Sequence, residues 1–314
     1  MLEEMIYLYI FNCHEDELEL SFLEKRSLFG VKDNRFVMES SIKIEPSRSP
    51  FLKARINVVA KANTLAELKQ QLNGYQVSKQ SFKVIMLKND DLSLEQQLDF
   101  QKRKQIEREI GQLIVGRADL KCPAETFAVI KTEDAWYFGE YTESVPVWLK
   151  HQQKPRMYST ALNTRVARAV VNIAVPKIEK QKAIDPCCGI GTVMVEALSM
   201  GIQISGSDIN PLAAIGAREN IAHFQHEAEV KKQDIRTIEA HYDVAIIDMP
   251  YNLCSVVSEE EKINMLRQAR KFTKRLVIVT VEPIDTILEK VGFFIKDRCV
   301  VKKSRFEREV LVCE

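Results

Sequence analysis

Two glycines and four acids stand where their spacing can do chemistry. In KAIDPCCGIGTVMVEALSMGIQISGSDINPLAAIGAREN (182–220), an apolar run ends at Asp185 and Gly189-x-Gly191 follows. Glycines at such a turn let backbone approach a ligand with no Cβ in the way. Thr192 opens a helix over 193–200, and Gly201 stops it. Residues 202–207 read as a short strand with Asp208 at its carboxyl end. An acid about 20 residues beyond a glycine turn is placed to hydrogen-bond ribose hydroxyls. Two further strands follow the same logic: AEVKKQDIRTI (228–238) ends near Asp234, and YDVAIIDMPYNLCS (242–255) ends in Asp248-Met249-Pro250-Tyr251. Element order therefore brings Asp185, Asp208, Asp234 and Asp248 to one edge of one parallel sheet, and the pattern predicts an adenosine-bearing ligand there.

The dinucleotide fingerprint requires a small residue three places after the second glycine, and Met194 stands there instead. Asp185-Pro186-Cys187-Cys188-Gly189-Ile190-Gly191-Thr192 resembles the first motif of class I S-adenosylmethionine-dependent methyltransferases. In that family the acid faces the cationic methionine end of the cofactor. Asp248-Met249-Pro250-Tyr251 in turn resembles the (Asp/Asn)-Pro-Pro-(Tyr/Phe) motif of methyltransferases that act on amino groups of bases or of glutamine. An exocyclic amino group is conjugated with its ring and is a poor nucleophile. A carboxylate and a backbone carbonyl that accept its two hydrogens draw the lone pair out of the ring plane, toward the methyl group. Asp248 can take the proton, and Tyr251 offers a face for a base turned out of its stack. Met249 stands where the family has a proline. It retains the carbonyl and loses the rigidity of the ring.

DPCCGIGTVMVEALSMG, GSDINPLAAIGARENI and DMPY lie behind the entry helix STALNTRVARAVVNIA and the segment GRADLKCPAETFAVI. Together they are similar to the THUMP-domain tRNA guanosine N2-methyltransferases, over about residues 110–314. The resemblance implies cofactor contacts from Asp185, Pro186, Cys187, Gly189, Gly191, Thr192, Asp208, Ile209 and Asp234. The first of these wrap the methionine part, Asp208 holds the ribose and Asp234 faces the adenine amino group. It implies a catalytic turn of Asp248, Met249, Pro250 and Tyr251, with no metal. The expected activity is methyl transfer from S-adenosylmethionine to N2 of a guanosine in tRNA. Two other readings stay open: an amino methyltransferase on DNA adenine or protein glutamine, and an RNA-binding protein whose methyltransferase fold has lost catalysis. A homodimer or a small accessory protein is left open as a partner.

The elements that must position these residues follow from patterning. Residues 5–11, 35–44, 53–62 and 82–89 read as strands, and 126–143 as a hairpin turning at Glu133-Asp134. Helices are expected over 14–30 (stopped by Gly30), over 65–72 (capped by Thr64) and from Ser93 to about Val115. This region is α+β. The expected domains are 1–150, THUMP-like and RNA-binding with a linker at 145–160, and 151–314, a Rossmann-like methyltransferase sheet, mostly parallel with an antiparallel last strand. In QKRKQIERE (101–109) acids and bases interleave as on a solvated helix face, and the run is also a candidate for nucleic-acid contact. In the linker, Trp148, His151, Lys154, Arg156 and Tyr158 could hold a phosphate backbone or simply join domains. Later segments supply helices at 259–275 and 285–292, a strand at 276–282 and a closing pair over 293–314.

Composition limits the class. With 46% hydrophobic and 28% charged residues, 314 residues suffice for two cores of ordinary globular type. A net charge of +1 argues against a strongly basic nucleic-acid binder and leaves local basic faces open. No apolar run reaches the ~20 residues a bilayer requires. Acids precede the N-terminal apolar patch, so no signal peptide is expected. Seven cysteines without metal-ligand spacing point to reduced thiols and a cytoplasmic setting.

Overall fold

The computed structural model describes residues 5–158, 161–250, 258–303 and 306–314. The chain clusters into two units, Met1–Asn12 with Asp33–Val145 and Cys13–Lys32 with Pro146–Glu314. Helix α1 (Leu18–Phe29), ended by Gly30 at φ 71°, thus goes with the second unit, although its position in the chain suggested the first.

The first unit is a mixed sheet. Its strands are β1 (Tyr7–Phe11), β2 (Val37–Ser40), β3 (Leu52–Ala62), β4 (Phe82–Met86), β5 (Glu125–Lys131) and β6 (Trp136–Glu143), in the order β2-β1-β3-β6-β5-β4. Only β4 and β5 pair in parallel. Helices α2 (Leu65–Leu72) and α3 (Phe100–Leu113) set Leu68, Leu72, Ile106 and Ile110 against Phe82, Phe127 and Phe138. α2 starts with the capping box expected of Thr64 and Glu67. α3 starts seven residues later than its polar pattern suggests. The Ser93 carbonyl closes a turn with the Gln96 and Gln97 N–H groups, and the Asp99 carboxylate caps the helix by accepting from the Lys102 N–H at 2.7 Å.

The second unit carries the acids. Strands β7 (Ala183–Asp185), β8 (Ile204–Asp208), β9 (Val230–Lys232), β10 (Tyr242–Asp248), β11 (Thr273–Thr280), β12 (Ile295–Lys303) and β13 (Phe306–Cys313) form one sheet in the order β12-β13-β11-β10-β7-β8-β9. The five strands from β11 to β9 are parallel, and β13 runs antiparallel to both of its neighbours. Helix α4 (Thr164–Ala174) leads into β7, and helices α5 (Thr192–Ser199), α6 (Pro211–His223), α7 (Glu259–Phe272) and α8 (Asp285–Val291) lie in connections between strands. The chain leaves β7 toward β8 and β9 and returns to β10 on the other side. The carboxyl ends of β7 and β10 therefore flank the switch point, where a parallel sheet opens a crevice.

Two features hold the unit's edge. Gly206 of β8 has no room for a Cβ, which would lie 2.3 Å from the Met194 sulfur. The methionine that breaks the dinucleotide fingerprint thus packs into a space left by a glycine on the neighbouring strand. On the far side, α1 reaches α4 and β12: Asn172 donates to Glu24 at 2.6 Å, and Arg26 makes a two-pronged pair with Asp297 at 2.7 and 2.9 Å. Among the described residues no helix is long and apolar enough to cross a membrane.

Candidate active site at the carboxyl edge of the second sheet

A cavity of about 790 Å³ opens at the switch point and is lined by all four acids with Gly189, Thr192, Ile209, Met249 and Pro250. Asp185 and Asp248 end adjacent strands; Asp208 ends the next strand out. Asp234 lies two residues past β9, where its side chain caps a short 3-10 turn.

Asp208 joins two loops. Its carboxylate oxygens accept from the Gly189 N–H and the Asn210 N–H, both at 2.8 Å. That locks the glycine turn to the β8 exit and leaves one lone pair on each oxygen for a diol. Gly189 and Gly191 sit at φ 53° and 79°, in the left-handed region where a side chain strains the backbone. At Gly191 a Cβ would also meet Ala217 of α6 at 3.1 Å, so the turn needs glycine for packing as well.

Asp185 is 3% exposed and accepts one weak hydrogen bond, from the Cys187 N–H at 3.3 Å. Burial pushes its pKa well above the carboxylate range, and the charges of Asp248 and Asp208 add to the effect. Asp248 is pushed up to about 7 by burial, with Arg308 opposing. Its Oδ1 is sealed from solvent and finds no hydrogen-bond partner among the described residues. Two buried carboxylates on adjacent strand ends form a site that a positively charged ligand would complete, and the Asp248 oxygen left without a partner among the described residues is open to a donor. Burial likewise pushes the Cys187 and Cys188 thiols up, which keeps them protonated and unsuited to nucleophilic work.

Met249 continues β10 by one residue. Its N–H donates to the Val279 carbonyl at 2.9 Å, a bond that proline could not make. Its side chain is buried in the core with Ile184, Ile247, Leu266 and Ile278. The rigidity lost with the ring is therefore replaced by a sheet hydrogen bond and a buried anchor. Pro250 is exposed at the cavity wall. Tyr251 lies outside the described residues.

Asp234 has a charged partner of its own. The Arg236 Nε donates to both of its oxygens at 3.0 Å, and this pair holds the carboxyl below its usual range. Arg236 also lines the cavity and was not evident as a site residue from the sequence. Neither was Asn220, 0% exposed on α6, whose amide donates to the Arg156 and Ile190 carbonyls and accepts from the Arg156 N–H. It ties the linker to the glycine turn.

The linker residues divide. Trp148, His151 and Lys154 are buried, so they are not a phosphate-gripping surface. His151 Nδ1 lies 2.6 Å from Glu196, which also accepts from Arg168 at 2.8 Å. Lys154 donates to the Thr192 hydroxyl at 2.9 Å. Arg156 pairs with Glu219 at the surface, and Tyr158 is exposed beside the cavity.

Residues 151–284 match the family model described as UPF0020, RMKL-like, methyltransferase domain. The tRNA (guanine(10)-N2)-dimethyltransferase of Methanothermobacter thermautotrophicus is 29% identical over 37% of this chain and 35% of its own length. The protein of the same name from Methanocaldococcus jannaschii is 26% identical over 50% of each. The chain thus spans half or less of the length of the curated relatives it matches. Among solved structures, SMU.472 in complex with SAH superposes with a TM-score of 0.50 at 14% identity, over 99% of this chain and 98% of that one. This likeness concerns the fold alone. The switch-point cavity and its acids lie within the stretch that is similar to this methyltransferase-domain model, and the second unit has the class I methyltransferase fold.

Proposed function

We propose that the chain is an S-adenosylmethionine-dependent methyltransferase that modifies the exocyclic N2 amino group of a guanosine in tRNA. The first unit would serve as a THUMP-like domain that grips the tRNA. The observation that carries this reading is Asp248, a buried carboxylate with one oxygen unpartnered among the described residues, one strand away from the glycine turn and within the same cavity. The named relatives supply the substrate class.

The residues fit the cofactor. Asp185 would face its cationic methionine end, the glycine turn and Thr192 would receive that end's backbone, and Asp208 would take the ribose hydroxyls with its free lone pairs. When bound, the cofactor supplies an electrophilic methyl group on a sulfonium. Asp248 and the Met249 carbonyl accept the two hydrogens of the target amine, turning its lone pair toward that methyl. Asp248 would take up the proton that the target amine gives up on methylation and pass it to water. With a pKa near 7 the carboxylate can both accept and release it around neutral pH. Met249, fixed by Val279 and by the core, aims its carbonyl without a proline. Asp234, already neutralised by Arg236, would contact the adenine amino group through its remaining lone pairs. Tyr251 is proposed, from the motif alone, to stack on the flipped base.

Labelled methyl transfer from the cofactor into unmodified tRNA, followed by mass analysis of the nucleosides, tests the reading. N2-methylguanosine is the expected product. Label in DNA or protein and none in RNA would overturn the substrate assignment.

A further inference from the structure

The linker places a buried cation directly behind the cofactor loop. Lys154 is 9% exposed, and its one hydrogen bond among the described residues goes to the hydroxyl of Thr192. That hydroxyl opens α5, lines the cavity and is itself nearly buried. An oxygen that accepts from an ammonium turns its own proton away from it. The Thr192 O–H donates to nothing among the described residues, so its proton is free for a cavity ligand. Beneath the pair, Glu196 is held by His151 and Arg168, which keeps an acid near the ammonium without bonding to it. The helix N-terminus adds its own positive end at the same point. Hydroxyl donor, ammonium and helix end all favour an anion, in a cavity whose other buried groups are acids.

We infer that Lys154 is a positioning residue for the cofactor's carboxylate, fixing the Thr192 hydroxyl as a donor and supplying the positive field behind it. The inference rests on the cofactor reading above. It divides recognition of the methionine end between two poles: Asp185 for the cationic groups, Thr192 backed by Lys154 for the anionic one. Burial pushes the Lys154 pKa below its usual value, with Glu196 opposing, so a carboxylate at Thr192 would strengthen the charged form.

The test compares calorimetric binding of S-adenosylmethionine with that of decarboxylated S-adenosylmethionine, which keeps the sulfonium and the amine. Lys154→Met preserves the length of the stem and should weaken the first ligand by about tenfold or more while changing the second by less than about twofold. Thr192→Val should give the same selective loss, and Thr192→Ser should keep the wild-type preference. If Lys154→Met does not fold, the Thr192 pair carries the comparison. Equal losses for both ligands, or none for either, would overturn the inference and leave the methyltransferase reading standing. Failure of the wild-type protein to bind either ligand would overturn the cofactor reading and this inference with it.

Discussion

At the scale of single residues, burial and charge conflict most at Asp248. Its folded pKa is raised above the unfolded value, so the folded state favours the protonated form. The sign follows directly. Below about pH 4 the acid is protonated folded or unfolded and costs nothing. As pH rises toward 7 the penalty for ionising it in the fold grows, and above 7 it is complete. Ligand-free Asp248→Asn should therefore match wild type in thermal unfolding near pH 4. At pH 8 it should be more stable, by roughly 1–3 kcal/mol. Its methyl transfer should fall by about a hundredfold or more, because the base is gone. Met249 invites the opposite error. Restoring the family's proline would remove the N–H that donates to Val279 and vacate a core position. Met249→Pro should lose roughly 2–4 kcal/mol in chemical denaturation rather than gain activity.

At the scale of elements, much was legible because local chemistry decided it. Thr64 and Glu67 make their capping box, and Gly30 and Gly292 end helices in left-handed conformation. All four acids reached one sheet edge because an apolar run followed by an acid fixes where a parallel strand stops. α3 was misplaced at its start because two candidate caps, Ser93 and Asp99, precede one polar helix, and only tertiary packing of Leu98 and Ile106 chooses between them. The pairing of Met194 with Gly206 was invisible because they lie on different elements. It predicts a measurable coupling. Gly206→Ala should destabilise by about 1–3 kcal/mol, and Met194→Ala alone by about 2–4. The double variant should lose less than the sum, since the added methyl then fills the vacated space. Additive losses in denaturant titrations would refute the contact.

At the scale of the whole molecule, the second unit takes its first helix from a segment more than a hundred residues upstream. Leu20, Leu23, Leu28 and Phe29 of α1 are buried, and Asn172, fully buried on α4, takes a hydrogen bond partner from it. A fragment covering 146–314 exposes the apolar surface that α1 covers and loses the bond to Glu24. It should aggregate or unfold at a markedly lower temperature than the full chain. Supplying residues 13–32 as a peptide should restore part of the loss. Equal melting temperatures would show that α1 contributes little.

Sequence alone determined the strand ends, the glycine turn and the order of acids along the chain, since each depends on residues within a few positions of one another. It also carried the resemblance that named the chemistry. Only the tertiary structure decided which polar groups are consumed inside the protein and which remain for a ligand. His151 and Lys154, open in the sequence between a phosphate grip and a plain linker, are buried supports, Asp234 is matched by Arg236, and Asp248 keeps an oxygen without a partner among the described residues. Burial and partnership depend on contacts between distant segments, and these set the dielectric and the field that give a charged side chain its role.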